Sequence, residues 1–225
     1  RAISTKGKVK RKRRKSAKKC WTHKTKKKNK WYVQPLTDEP DSLLYFPHSL
    51  VYHCNCGDME SVSQLIQKHF HKKAMVNISG SDDISLGLTR YISFLSVANV
   101  LFCDLLSCVY GTTVVGSQIR SRIYYSYTDV AEMYHHAGSV VTDPLFKKLF
   151  VGKRSDVLRR RLKLYSKSTE LQARLTPLIE SDVQLQIYCR SDITIIFDEY
   201  THKILKVNSV HKVKSVGHDG EKIKL

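Results

Sequence analysis

The stretch Ile119–Thr128, IRSRIYYSYT, limits the possible folds more than any other part of the chain. Ile119, Ser121, Ile123, Tyr125 and Tyr127 alternate with Arg120, Arg122, Tyr124 and Ser126. A period of two, rich in β-branched and aromatic residues, belongs to a strand with one buried face. Gly116-Ser117, set between Thr112–Val115 and this strand, predicts a tight hairpin. A strand this long needs sheet neighbours, and its Ile and Tyr face needs an apolar cover.

Helices and further strands supply both. Asp58 is a good N-cap, and Met59, Val62, Leu65, Ile66 and Phe70 recur at helical spacing up to the cationic His71-Lys72-Lys73. Residues 74–79 read as a short strand or as the end of that helix, and Gly80–Asp83 as a loop. A second helix is predicted over 86–101, then strands over 105–115 and 118–128. Asp156 to about Leu175 reads as a third helix with a basic outer face, Arg159-Arg160-Arg161-Lys163, and Pro177 beyond its end. Alternation at Val183, Leu185, Ile187 and Cys189, then at Ile193, Ile195 and Phe197, predicts strands; Glu199–Lys203 is a turn and Ile204–Val213 a last strand.

This order, carried by Asp58–Phe70, Leu86–Leu101, the hairpin Val115–Thr128 and the closing hairpin Ile193–Val207, resembles the nuclear-transport-factor-2-like superfamily, which includes ketosteroid isomerases and SnoaL-like proteins. The resemblance implies an α+β domain in which a curved antiparallel sheet wraps helices into a cone, over residues 53–216. Two departures accompany it. Residues 129–181 make a longer connection than the family uses and read as an insertion. The Pro-Asp pair that commonly ends the helix before the sheet is replaced by Phe102-Cys103-Asp104. The resemblance also implies that a pocket inside the cone can be an active site, with an Asp or His as base and a Tyr as hydrogen-bond donor. Tyr125, Tyr127, Asp129 and His135, with His136 beside it, are the residues near the central strand that match those types. The competing reading is that inward tyrosines are core, in which case the domain serves dimerisation through the sheet or partner binding and is no enzyme.

Charge divides the chain. Residues 1–30 hold 16 of the 39 Lys and Arg and no Asp or Glu, while the body is near neutral. So basic and so poor in apolar side chains, 1–30 reads as a disordered arm, with 31–52 a proline-punctuated connector and 217–225 a polar tail. Lys8, Lys10, Arg11, Lys12, Arg13, Arg14, Lys15, Lys18 and Lys19 form one cluster and Lys26, Lys27 and Lys28 a second. Such an arm contacts nucleic-acid phosphates through counterion release, with little sequence readout, and Trp21 and Trp31 add stacking surface. The same residues read as a nuclear localisation signal. DNA and RNA stay open, so a ribonucleoprotein component is a further reading, and Arg120 and Arg122 are the body's candidates to continue the charge.

The first reading is therefore a non-catalytic nuclear protein with a nucleic-acid-binding arm. The rival is a cytoplasmic or nuclear protein that binds a small ligand, or turns one over by isomerisation or dehydration, in the cone. Neither reading calls for a cofactor. Cys20-x-x-His23 and His53-Cys54-Asn55-Cys56 have zinc-ligand chemistry, but their spacing fits no standard finger. Six irregularly spaced cysteines suit reduced thiols better than a disulfide framework. The densest apolar stretch, 91–110, is interrupted by polar residues, so no membrane span is expected.

Overall fold

A computed structural model describes residues 42–80, 83–102 and 104–225. The basic arm, the first part of the connector, Cys20, His23 and Cys103 lie outside the described residues. A single 3-10 turn, Leu43–Tyr45, leads into α1 (Phe46–Cys56). It is followed by α2 (Met59–His69), β1 (Phe70–Ser79), β2 (Ile84–Gly87), α3 (Leu88–Leu101), β3 (Leu106–Val115) and β4 (Gln118–Asp129). Four helices come next: α4 (Ala131–Val140), α5 (Pro144–Phe150), α6 (Arg154–Arg161) and α7 (Thr169–Glu180). The chain ends in β5 (Leu185–Phe197), β6 (Ile204–His218) and β7 (Glu221–Lys224).

The strands form one curved sheet in the order β2-β1-β6-β5-β4-β3, with β7 also paired to β6. The α+β class and the curved sheet match the sequence expectation. The sheet is mixed, however, because β1 runs parallel to β6 while the other described pairs are antiparallel. The register shifts in β1·β6, β3·β4 and β5·β6, and β-bulges at such places bend a sheet and raise its twist. β4 alternates as read: Ile119, Ser121, Ile123 and Tyr127 are buried, while Arg120 and Tyr124 are exposed. Val115 pairs with Gln118 across Gly116-Ser117, and Gly116 takes the positive φ, 55°, that this turn demands.

α2 starts where its cap places it, since the Asp58 carboxylate accepts the Ser61 N–H at 3.0 Å. Val62 and Ile66 on its inner face are fully buried. α1 occupies what reads as connector. Three prolines hide its periodicity, yet Pro47 stands in the first turn, where a missing N–H breaks no intrahelical bond. Gly57, at φ 71°, closes that helix in the left-handed conformation. Leu86, read as the start of a helix, is a fully buried strand residue of β2. The third helix divides into α6 and α7 around a turn where Lys163 takes φ 52°, and Pro177 lies inside α7. The tail read as polar folds back as β7. Asp219 and Gly220 both have positive φ, 47° and 81°, between the paired His218 and Glu221, the two-residue hairpin that Asp-Gly favours. Among the described residues no helix is long and apolar enough to cross a membrane.

Candidate ligand-binding site

The concave side of the sheet does not close completely on its helices. A cavity of about 760 Å³ remains. Alternate residues of four strands form one wall: Val76 and Ile78 of β1, Ile123, Tyr125 and Tyr127 of β4, Cys189, Ser191 and Ile193 of β5, and Val207, Ser209 and His211 of β6. The period of two in each strand puts these residues on one face. Leu50 and Cys54 of α1, Tyr91, Phe94, Leu95 and Ala98 of α3, and Phe150 and Arg161 from the inserted helices form the opposite wall.

Most of this lining is apolar, and its polar groups are connected. The Tyr125 hydroxyl lies 2.8 Å from His211 Nδ1. His211 Nε2 lies 3.1 Å from Ser209 Oγ, which lies 2.7 Å from Ser191 Oγ. Burial pushes the His211 imidazole down to about 4, so the ring is neutral at pH 7. A neutral imidazole accepts on one nitrogen and donates from the other. The chain therefore runs from Tyr125 through His211 to the serines, or in reverse. In the reverse sense His211 donates to the Tyr125 oxygen, which leaves the phenolic O–H to donate to a ligand oxygen in the cavity. Burial also holds the Tyr125 and Tyr127 hydroxyls well above their ordinary range, so both are neutral donors. The same cause pushes the Cys189 thiol up to about 12 and Cys54 up to about 11. Neither cysteine has the thiolate character a nucleophile needs.

Position in β6 is protected by a close approach of backbone. Gly80, at φ 149°, follows β1, and a Cβ there would stand 2.6 Å from the His211 carbonyl oxygen. A side chain at residue 80 would force the His211 backbone out of place.

The residues singled out in the sequence separate into two groups. Tyr125 and Tyr127 line the cavity. Asp129 does not. It is 0 % exposed, accepts the Tyr134 hydroxyl, and pairs with Arg154 Nε at 2.8 Å. Both carboxylate oxygens are thus engaged in tying β4 to α4 and α6. His135 and His136 are exposed residues of α4, outside the cavity lining. Arg122, considered as a phosphate contact, pairs with Asp192 at 3.1 Å, and Arg190 shares that carboxylate at 2.6 Å. His53, Cys54 and Cys56 close α1, with His53 Nδ1 3.3 Å from Asp58 rather than in a ligand cluster, and among the described residues no three such groups converge on a metal position.

His211, Ser209, Ser191 and Arg161 are the site residues that sequence reasoning passed over. The serines and His211 sit at strand positions of matching parity, a signal available once β5 and β6 are aligned. By sequence Arg161 belongs with its neighbours to an outward basic face. Arg159 does pair outward with Glu180. Arg161, by contrast, is half-buried and packs between rings, its guanidinium carbon 5.2 Å from the Phe102 centroid and 5.1 Å from that of Phe150.

No protein-family model matches the sequence, and no curated protein does. Solved structures are similar over about three quarters of the chain at low identity. IdmH from Streptomyces antibioticus, which carries a polyketide-cyclase designation, is 9 % identical over 75 % of this chain and 90 % of its own, with a TM-score of 0.42. A protein designated a SnoaL-like polyketide cyclase, from Shewanella denitrificans, is 10 % identical over 75 % of this chain and 88 % of its own, with a TM-score of 0.44. An NTF2-like protein of unknown function from Cytophaga hutchinsonii is 6 % identical over 74 % of this chain and 87 % of its own, with a TM-score of 0.36.

Proposed function

We propose that the folded domain binds a small, mainly apolar ligand inside the cone, with the Tyr125–His211 pair as its polar anchor. The observation that carries this reading is the cavity of about 760 Å³, walled by apolar side chains around one connected polar chain. Pockets of roughly 300–1,000 Å³ with few, convergent polar groups are the usual form of small-molecule sites. A filled core would have left no such volume. A neutral imidazole bonded to a tyrosine is also the equipment for moving one proton, so isomerisation or dehydration is the chemistry this site would support if it turns its ligand over.

The test uses methyl 1-pyrenebutyrate, an apolar ester with an acceptor carbonyl. Saturable binding at one site is expected from its fluorescence. Ala98→Trp, on the α3 wall, should lower the affinity about tenfold or more by filling the cavity while the thermal transition persists. Absence of saturable binding by the wild-type chain would remove the reading.

The arm supports a second, separate proposal: residues 1–30 carry nuclear import and phosphate contact, with 16 basic and no acidic side chains. Deleting 1–30 should abolish binding to a mixed-sequence RNA or DNA oligonucleotide. Affinity of the full chain should fall by orders of magnitude between 50 and about 200 mM salt. Salt-insensitive binding would count against the arm. Dimerisation through the outer sheet face remains part of this proposal, and sedimentation velocity at two concentrations tests it.

A further inference from the structure

The wall opposite the Tyr125–His211 chain carries a cation. Arg161 ends α6 and lines the cavity. Its Nη1 donates to the Tyr127 hydroxyl at 3.3 Å and its Nη2 to the Leu149 carbonyl at 3.2 Å. A guanidinium has five N–H groups, and the other three meet no acceptor among the described residues. No carboxylate of the described residues forms an ion pair with it. The buried Asp129 carboxylate acts on it electrostatically, but both of its oxygens are already hydrogen-bonded to Tyr134 and Arg154. The Phe102 and Phe150 rings hold the guanidinium in place and give it cation–π support. They offer no anion.

A half-buried guanidinium held by one hydroxyl, one carbonyl and two rings, with no carboxylate paired to it, gains free energy from an incoming anion. The rest of the cavity has the same sign. Lys163, Lys167, Lys212 and Lys214 also bound it, and among the described residues Asp83 is the only acidic one that does. Lys163 is exposed while touching the cavity, so it stands at the opening. Its φ of 52° is a left-handed conformation that a non-glycine residue adopts at some cost, and it is the turn between α6 and α7 that holds it there. Lysines at the opening of a low-dielectric cleft draw anions toward it.

We propose that the ligand of the cone is a monocarboxylate with an apolar body, seated with its carboxylate on Arg161. The inference rests on the ligand-binding reading and adds the charge of the ligand. One guanidinium inside matches one negative charge, and its planar fork of free N–H groups matches a carboxylate. The apolar walls take the body, and the Tyr125–His211 chain offers it a second polar contact.

The test compares 1-pyrenebutyrate with its methyl ester at pH 7.5, by fluorescence titration of the full chain. The acid is expected to bind about tenfold tighter than the ester or better. Arg161→Met should abolish the preference, so that the variant binds acid and ester with affinities within about twofold of each other. Arg161→Lys, which keeps the charge and loses the fork, should retain part of the preference. Equal affinity of acid and ester for the wild-type chain would overturn the proposal, as would a preference that survives Arg161→Met. Should Arg161→Met fail to fold, the wild-type comparison and Arg161→Lys decide. Binding of neither compound would instead remove the ligand-binding reading itself, so the two failures are distinct.

Discussion

Replacing Arg154 with Met is expected to destabilise the domain by about 3–5 kcal/mol, the cost of leaving one member of a buried ion pair alone. Arg154 is 9 % exposed and Asp129 is not exposed at all. Besides its bond to Asp129, Arg154 donates to the carbonyl oxygens of Ile179 at 3.2 Å, Ser181 at 2.5 Å and Val183 at 2.9 Å. One guanidinium thus joins the end of β4, the start of α6 and the end of α7. Methionine fills comparable volume and satisfies none of the four acceptors. Urea unfolding at pH 7 measures the loss, and a change below about 1 kcal/mol would mean that water or a local shift replaces the guanidinium. The loss should also depend on pH. Burial is the largest influence on Asp129 and raises its carboxyl, with Tyr134 and Arg154 pulling the other way. Without Arg154 the carboxyl rises further above its unfolded value. A raised folded-state value favours the fold when the group is protonated, so the variant should regain stability as pH falls through that value and lose it again as pH rises.

Stability of the wild-type domain should fall as pH drops from about 6.5 to about 4, with His211 contributing of order 2–3 kcal/mol. The imidazole is held at about 4 in the fold against an ordinary value of 6.5. A folded-state value below the unfolded one means that the contribution is fully present above 6.5. It is lost as pH falls through the folded value, because the unfolded chain takes up the proton first. The cause is burial, with Nδ1 and Nε2 both in hydrogen bonds inside the cavity. His48, also lowered by burial, adds a smaller slope over the same window. His211→Gln should flatten the profile while leaving the His48 part, and chemical denaturation between pH 4 and 7.5 reads both. An unchanged profile in His211→Gln would show that the imidazole is open to solvent. Ligand binding by the cone should hold down to about pH 5 and weaken only near the folded-state value of about 4, where His211 takes up its proton and can no longer accept a hydrogen bond.

The parts of this architecture that were legible in the sequence are those whose signal is local. The alternation of Ile119–Thr128, the Gly116-Ser117 turn and the Asp58 cap each follow from residues within a few positions, and each is found. β2 was missed because four residues carry too little periodicity, and Leu86 fits a helix face as well as a strand. α1 was missed because prolines in its approach outweigh its apolar spacing. The Asp219-Gly220 hairpin had a good local signal, obscured by the polar composition of the tail. The site was less legible for a different reason. Tyr125 and His211 are 86 residues apart, and neither has a neighbour in sequence that betrays the other. Arg161 shows the opposite failure. Its sequence neighbours Arg159 and Arg160 face outward, and a single turn of helix, at 100° per residue, is enough to put the third arginine indoors.

The parallel seam between β1 and β6 has a consequence for how the domain assembles. β3 with β4 and β5 with β6 are close in sequence and can pair early. The seam cannot. Asn77 and Asn208, whose side chains bond across it at 2.9 Å, are separated by 131 residues. Closing a loop of that length costs conformational entropy before any contact rewards it. The cavity has walls on both sides of this seam, with Val76 and Ile78 on one strand and Val207 and Ser209 on the other. Pairing across this seam is expected to follow the local hairpins, and the cavity to close with it.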